Sequence, residues 1–215
     1  MGATERRQKE KQIRRRQILD AARQLLFSHG IDHISISRIS RTAELGVGTI
    51  YFHYKNKEDI FVALQEEGLA ILYDQVKAVA DKPLAPDEKL YQIAMEFYDF
   101  AQTKPRYYDI INYFLSSSRF FFTADRKQQI DMAGFRILRR IRKIVAQGTD
   151  RHLFFEKEPD KFAVMFWGTL NGLLQFKKLE HTALEHTPHR DIYQYSVKKL
   201  LQTIVWNEPK FGEDE

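Results

Sequence analysis

The chain contains no cysteine, which excludes disulfide staples and thiol chemistry and permits a reducing compartment. It has no apolar run near the roughly 18 residues a membrane-spanning helix requires, and it opens on a polar, charged segment instead of a signal-peptide pattern. A cytoplasmic protein with no membrane partner is expected. Catalytic signatures are missing too: there is no phosphate-cradling glycine loop, no HExxH and no GxSxG. The triplet His189-Arg190-Asp191 resembles a kinase catalytic loop, but Ser196 stands where that loop needs Asn. His181, Glu185, His186 and His189 are close in sequence, yet Pro188 interrupts them in a loop-like stretch, so no metal site is expected. Neither a cofactor nor an enzymatic activity is predicted.

What the chain does have is unevenly distributed. Its 215 residues, 43% hydrophobic, can bury a real core, as one small domain and one larger one. Residues 1–57 hold twelve Lys/Arg against five Asp/Glu, whereas residues 58–215 hold twenty-two against twenty-four. Seven of the twelve form one run: Arg6, Arg7, Lys9, Lys11, Arg14, Arg15 and Arg16. Such a run attracts a polyanion through counterion release, or else is simply a solvated tail.

The stretch from Ile34 to Asp59 decides between these. Ser35 is a good N-cap for a short helix, and Ile34 and Ile39 sit at the positions of a hydrophobic staple around it. The pattern repeats at once, with Gly46 as the cap and Leu45 and Ile50 as the staple. If Ile50 and Tyr54 face inward, then Val47, Gly48, Thr49, Tyr51, Phe52 and His53 face outward. An exposed helix without an acid, bearing a hydroxyl, two aromatic rings and an imidazole, suits a DNA major groove. Asn56 then caps a third helix, with Asp59 as its reciprocal carboxylate.

Upstream, Ile18, Ala22, Leu25 and Leu26 share one face of a helix over about 9–29, ended by Gly30. Downstream, Ile60, Leu64, Ile71 and Leu72 mark the inner side of a long helix to Ala80. Further helices are expected at about 87–103, 106–117, 124–147, 160–179 and 189–206, with stops at Pro105, Ser116–Ser118, Gly148 and Pro209. Eleven aromatics fall between Tyr91 and Phe122. They form a bulky core or a pocket for an apolar or aromatic effector, with Phe97, Tyr98, Tyr113 and Phe114 as candidate lining and no Arg or Lys cluster among them for a highly charged ligand. In the helix near 160–179, apolar residues including Trp167 spread around most of the circumference, and Gly168 and Gly172 permit close helix approach. The last helix presents Ile192, Tyr195, Leu200, Ile204 and Val205. Helices apolar on more than one face need more than one partner, so Trp167, Gly168, Gly172 and Ile204 are expected in a dimer interface.

The motif A-x-x-x-x-G-T-I-Y-x-H-Y-K-N-K-E-D, over Ala43 to Asp59 and behind a basic first helix, resembles the TetR family of bacterial transcriptional regulators; the resemblance covers roughly residues 13–64. It implies an all-α protein with a three-helix helix-turn-helix DNA-binding domain (residues 1–58, with a basic N-terminal arm) and a larger helical ligand-binding and dimerisation domain (59–215). It further implies a homodimeric repressor that binds a palindromic duplex operator and is released by a small molecule. Carried over residue by residue, it places DNA contacts on Ser37, Arg38, Val47, Gly48, Thr49, Tyr51, Phe52, His53 and Lys57. Glu44 stands where the family commonly has Gly, and Gly46 where it commonly has a Ser cap. The alternatives are an architectural DNA-binding protein without a ligand and an enzyme using the aromatic block, which lacks a convergent nucleophile, base and orienter.

Overall fold

The computed structural model describes residues 2–116, 124–179 and 187–205. His181, Glu185, His186, Pro209 and Phe120–Phe122 lie outside them. The described chain is helical: α1 (Ala3–His29), α2 (Ile36–Thr42), α3 (Val47–His53), α4 (Lys57–Ala80), α5 (Pro86–Thr103), α6 (Pro105–Ser116), α7 (Ala124–Asp150), α8 (Pro159–Gln175) and α9 (His189–Gln202). Among the described residues there is no strand beyond a lone antiparallel bridge between Phe154 and Val205, and no helix is long and apolar enough to cross a membrane.

The chain forms two compact units, one of Met1–Ile71 with Thr103–Ile130, the other of Leu72–Gln102 with Asp131–Glu215. The units therefore divide elsewhere than at residue 58. The reason is a shared core: Ile60, Phe61 and Leu64 of α4 and Ile110 of α6 are buried with Ile18, Ala22 and Leu26 of α1, Ile39 of α2 and Ile50 of α3. Two or three short helices bury too little apolar surface to stand alone. The first stretch of α4 and all of α6 complete their core.

Local chemistry sets the ends of these helices largely as expected. Ser35 Oγ accepts from the Arg38 amide at 3.3 Å, and Ile34 and Ile39 are both buried. Asn56 Oδ1 accepts from the Asp59 amide at 2.8 Å; the Asp59 carboxylate in turn accepts from the Lys55 amide at 3.1 Å, one residue earlier than a capping box would place it. Gly30 ends α1 at φ +83°, a left-handed value that favours glycine. Basic residues from Arg6 onward belong to α1, a helix of 27 residues.

A charged knot joins α1, α4 and α6. Arg23 donates from Nε and Nη2 to the Glu67 carboxylate, both at 2.8 Å, and the Tyr107 hydroxyl donates to the same carboxylate. Burial, and then the neighbouring Glu67, push the Tyr107 phenol up to about 12. Gly68 admits this ring, since a Cβ there would meet Tyr107 at 3.0 Å.

In the second unit three sequence expectations are corrected. α7 overruns Gly148 to Asp150, and Gly148 is needed because the Phe154 ring fills the space its Cβ would occupy. The stripe expected on α9 is rotated: His189, Tyr193, Val197 and Leu201 are buried at i, i+4, i+8 and i+12, whereas Tyr195 is 64% exposed. Hydrogen bonds select this face, from Tyr193 Oη to the Ala94 carbonyl at 3.0 Å and between His189 Nε2 and the Leu173 carbonyl oxygen at 2.8 Å. His189 is accordingly a core residue. Ile204, expected at a dimer surface, is 2% exposed within its own chain.

Candidate nucleic-acid interface

The geometry of α3 follows from what its neighbours bury. Ile50 faces the core, so residues on the opposite arc are left to solvent: Val47 and Gly48 are exposed, Tyr51 is 53% and Phe52 76% exposed, while Thr49 and His53 are half-buried. Ser37 and Arg38 of α2 are exposed. Arg38 is also restrained, donating from Nη1 to the His33 carbonyl at 3.2 Å. Lys57, at the first position of α4, is half-buried with its ammonium 5.2 Å from the Phe61 ring centroid.

The turn between α2 and α3 is closed by a reciprocal pair of bonds. Ser40 Oγ donates to the Leu45 carbonyl at 2.6 Å, and the Leu45 amide returns a bond to the Ser40 carbonyl at 3.0 Å. Glu44 sits at φ +54°, the left-handed region, which costs a non-glycine residue about 1–2 kcal/mol. The residue type at this position departs from the family pattern, and the backbone keeps the conformation that glycine would favour.

Two α1 side chains then fix the helix pair. Gln17 Nε2 donates to the Ala43 carbonyl at the end of α2 at 2.8 Å, and Arg15 Nη1 donates to the His53 carbonyl at the end of α3 at 3.0 Å. A cation on unsatisfied C-terminal carbonyls is favourable for the helix dipole. The Arg15 guanidinium also lies 4.4 Å from the Tyr54 ring centroid. Arg15 is thus a positioning residue and not one of the free cations of the N-terminal run. Its sequence signal was its place at i−3 from buried Ile18, on the apolar side of α1. Arg6, Arg7, Lys9, Lys11, Arg14 and Arg16 remain exposed.

His53 combines burial with positive neighbours. Desolvation first, then Arg15, Lys11 and Arg14, hold its imidazole below the usual value, and its Nδ1 is buried without a hydrogen-bond partner.

The remaining predicted residues fall in two places. Tyr113 and Phe114 pack against the core of the first unit, where Tyr113 meets Phe61 edge-on at 5.7 Å. Phe97 and Tyr98 are buried in the second unit, Phe97 against Trp167 at 4.5 Å and Tyr98 beside His189 and Tyr193. Phe97 and Tyr98 are core residues, Tyr113 and Phe114 are half-buried, and the four do not share one compact unit. On α8, Gly168 and Gly172 are exposed, with nothing within 4 Å of where a Cβ would stand, while Trp167 is half-buried.

Residues 18–64 match the family described as bacterial regulatory proteins, tetR family. The fatty acid metabolism regulator protein of Bacillus subtilis (strain 168) is 32% identical over 82 residues, which span 38% of this chain and 42% of that protein. The match thus covers about two fifths of the length of that relative. Among solved structures, FadR from Bacillus subtilis in complex with stearoyl-CoA superposes with a TM-score of 0.66 at 19% identity, over 88% of this chain and 96% of that one. AibR in complex with isovaleryl coenzyme A and operator DNA superposes with a TM-score of 0.66 at 19% identity, over 87% and 98%. At these identities the likeness establishes the fold.

Proposed function

Because residues 18–64 make the chain a member of the TetR family of bacterial regulatory proteins, we propose that it is a ligand-responsive repressor, two copies of which bind a palindromic operator until a small molecule releases them. The observation that carries this reading is the outer face of α3. Val47, Tyr51 and Phe52 stand in solvent beside Gly48 and Thr49, no acid interrupts them, and exposed cations of α1 belong to the same unit. Hydroxyls and cations serve phosphates there, and the aromatic and small side chains serve base edges.

Dimerisation is supported by arithmetic and by α8. One seven-residue recognition helix reads too few bases for specificity, and two-fold symmetry would set two of them about 34–36 Å apart, one turn of DNA. On α8, exposed Val164, Met165, Gly168 and Gly172 offer an uncharged face to a second copy. The effector carries an apolar acyl group, and the ligands of the two similar structures, stearoyl-CoA and isovaleryl coenzyme A, favour an acyl thioester. α4 is the proposed transmitter, since it runs unbroken through Ile71 and Leu72, where the compact units divide.

A ligand shifts DNA affinity only through differential binding, and the coupling is reciprocal. Palmitoyl-CoA should therefore weaken binding to an operator selected from random duplexes by roughly 5–150-fold, and the operator should weaken palmitoyl-CoA binding by the same factor. Fluorescence anisotropy and calorimetry measure the two legs. Sequence-specific binding indifferent to the thioester would favour the architectural reading instead.

A further inference from the structure

The second unit carries a charged surface of its own, on α7. Between Met132 and Asp150 lie Arg136, Arg139, Arg140, Arg142 and Lys143, against the single carboxylate of Asp150. Arg142 points elsewhere, paired with Asp160 at 2.7 Å. The other four recur at i, i+3, i+4 and i+7, one face of a helix whose opposite side buries Ile137, Ile141 and Ile144.

Tyr73 of α4 lies within this face. The Arg136 guanidinium is 3.9 Å from its ring centroid, and Arg140 donates from Nη2 to its hydroxyl at 3.3 Å. The hydrogen bond from Arg140, and then Arg136, hold the Tyr73 phenol below its ordinary value. Asp81, already bonded to Lys77 at 2.7 Å, meets Arg140 at 3.4 Å. Among the described residues, Arg136, Arg139 and Lys143 enter no ion pair. Like charges gathered on one face repel unless an anion joins them. Toward the N-terminus the same stripe changes character: Met132 and Phe135 are each 52% exposed. Over about 16 Å, at ~1.5 Å per residue, the surface passes from apolar to cationic.

We propose that this face of α7 receives the phosphate-bearing head of an acyl-CoA thioester, with Arg139 and Lys143 at the phosphates and the Arg136–Tyr73 stack offering a platform for the adenine ring. The proposal rests on the acyl-thioester reading above and adds the subsite for its anionic end. It also revises the expectation that no cationic cluster is available for a charged ligand: that expectation searched among the aromatics of residues 91–122, whereas the cluster forms where α7 packs beside Tyr73. A membrane surface would also attract such a stripe, but it would not need a guanidinium stacked on a ring, which matches a nucleobase better than a lipid headgroup.

The test titrates wild-type protein, an Arg139→Gln/Lys143→Gln variant and an Arg142→Gln control with palmitoyl-CoA, adenosine 3′,5′-bisphosphate and palmitate by calorimetry. Among the described residues, neither Arg139 nor Lys143 enters an ion pair that holds the fold. Two lost surface charges should weaken palmitoyl-CoA and the bisphosphate by about threefold to tenfold, with palmitate unchanged and the control like wild type. Equal palmitoyl-CoA affinity in wild type and double variant removes the head from α7 and leaves the effector reading standing. Absence of palmitoyl-CoA binding by the wild type overturns both. If the double variant instead loses adsorption to phosphatidylglycerol vesicles while keeping its palmitoyl-CoA affinity, the face is a membrane surface and the proposal falls.

Discussion

Among the helices that leave apolar side chains in solvent are α3 and α8, and their surroundings differ. On α3 the exposed Val47, Tyr51 and Phe52 are followed by Lys55 and belong to a unit whose first helix exposes Arg14 and Arg16. On α8, Val164 is 60% and Met165 47% exposed, Gly168 and Gly172 continue the face, and no charged residue occurs between Lys161 and Lys177. Exposed apolar surface alone does not name a partner. The charge around it does: a positive field with scattered hydroxyls fits a polyanion, and an uncharged face with glycines at i and i+4 fits another helix like itself.

The largest expected effect comes from charging the α8 face. Nothing lies within 4 Å of a Cβ built at Gly172, so Gly172→Arg should leave the single chain folded. An uncompensated charge buried between two copies costs roughly 3–5 kcal/mol, so the dimer dissociation constant should rise by about two orders of magnitude or more. Sedimentation reads this directly; an unchanged dimer would move the interface away from α8 and remove half of the comparison.

On α3 the effect should be smaller and confined to DNA. Tyr51→Ala and Lys57→Ala should each weaken operator binding about tenfold, toward the low end of the ~1–3 kcal/mol a specific contact supplies. Their thermal midpoints should stay within about 2 °C of wild type, as for surface changes generally. Wild-type operator affinity in both variants would show that the exposed rings serve something other than DNA.

The smallest effect lies in the turn that aims α3. Glu44→Gly relieves a left-handed residue but adds freedom to the unfolded chain, so a net gain of about 0.5 kcal/mol is expected, raising the midpoint by about 1–2 °C. A fall in thermal stability would mean that the Glu44 side chain holds the turn and that its backbone is not under strain.

How much was readable follows the distance over which each contact acts. Ser35, Asn56, Gly30 and the Ile34/Ile39 staple act within a few residues, and the structure places each near its expected position. The outward face of α3 was equally accessible, because a buried Ile50 fixes which arc remains. The long-range bonds that α1 makes to the other helices were not read. Arg15 to His53 spans 38 residues, Gln17 to Ala43 spans 26 and Arg23 to Glu67 spans 44. Arg15 passed for one more cation in a basic run, and only the position of α3 against α1 gives it another role. Similarly, on α9 the amphipathic pattern admits two faces, and partners 16 and 99 residues away choose between them.

The sequence by itself determined that this chain is helical, where most helices begin and end, and that residues 34–59 form a helix-turn-helix, since caps, staples and periodicity are local and their energies are fixed by neighbours in the chain. Tertiary structure alone decided where the compact units divide, which side of α9 is core, why Gly148 must be glycine, and that Tyr73 of α4 meets the cations of α7. Those outcomes depend on side chains tens of residues apart competing for the same buried volume, and no pattern within one helix records who wins.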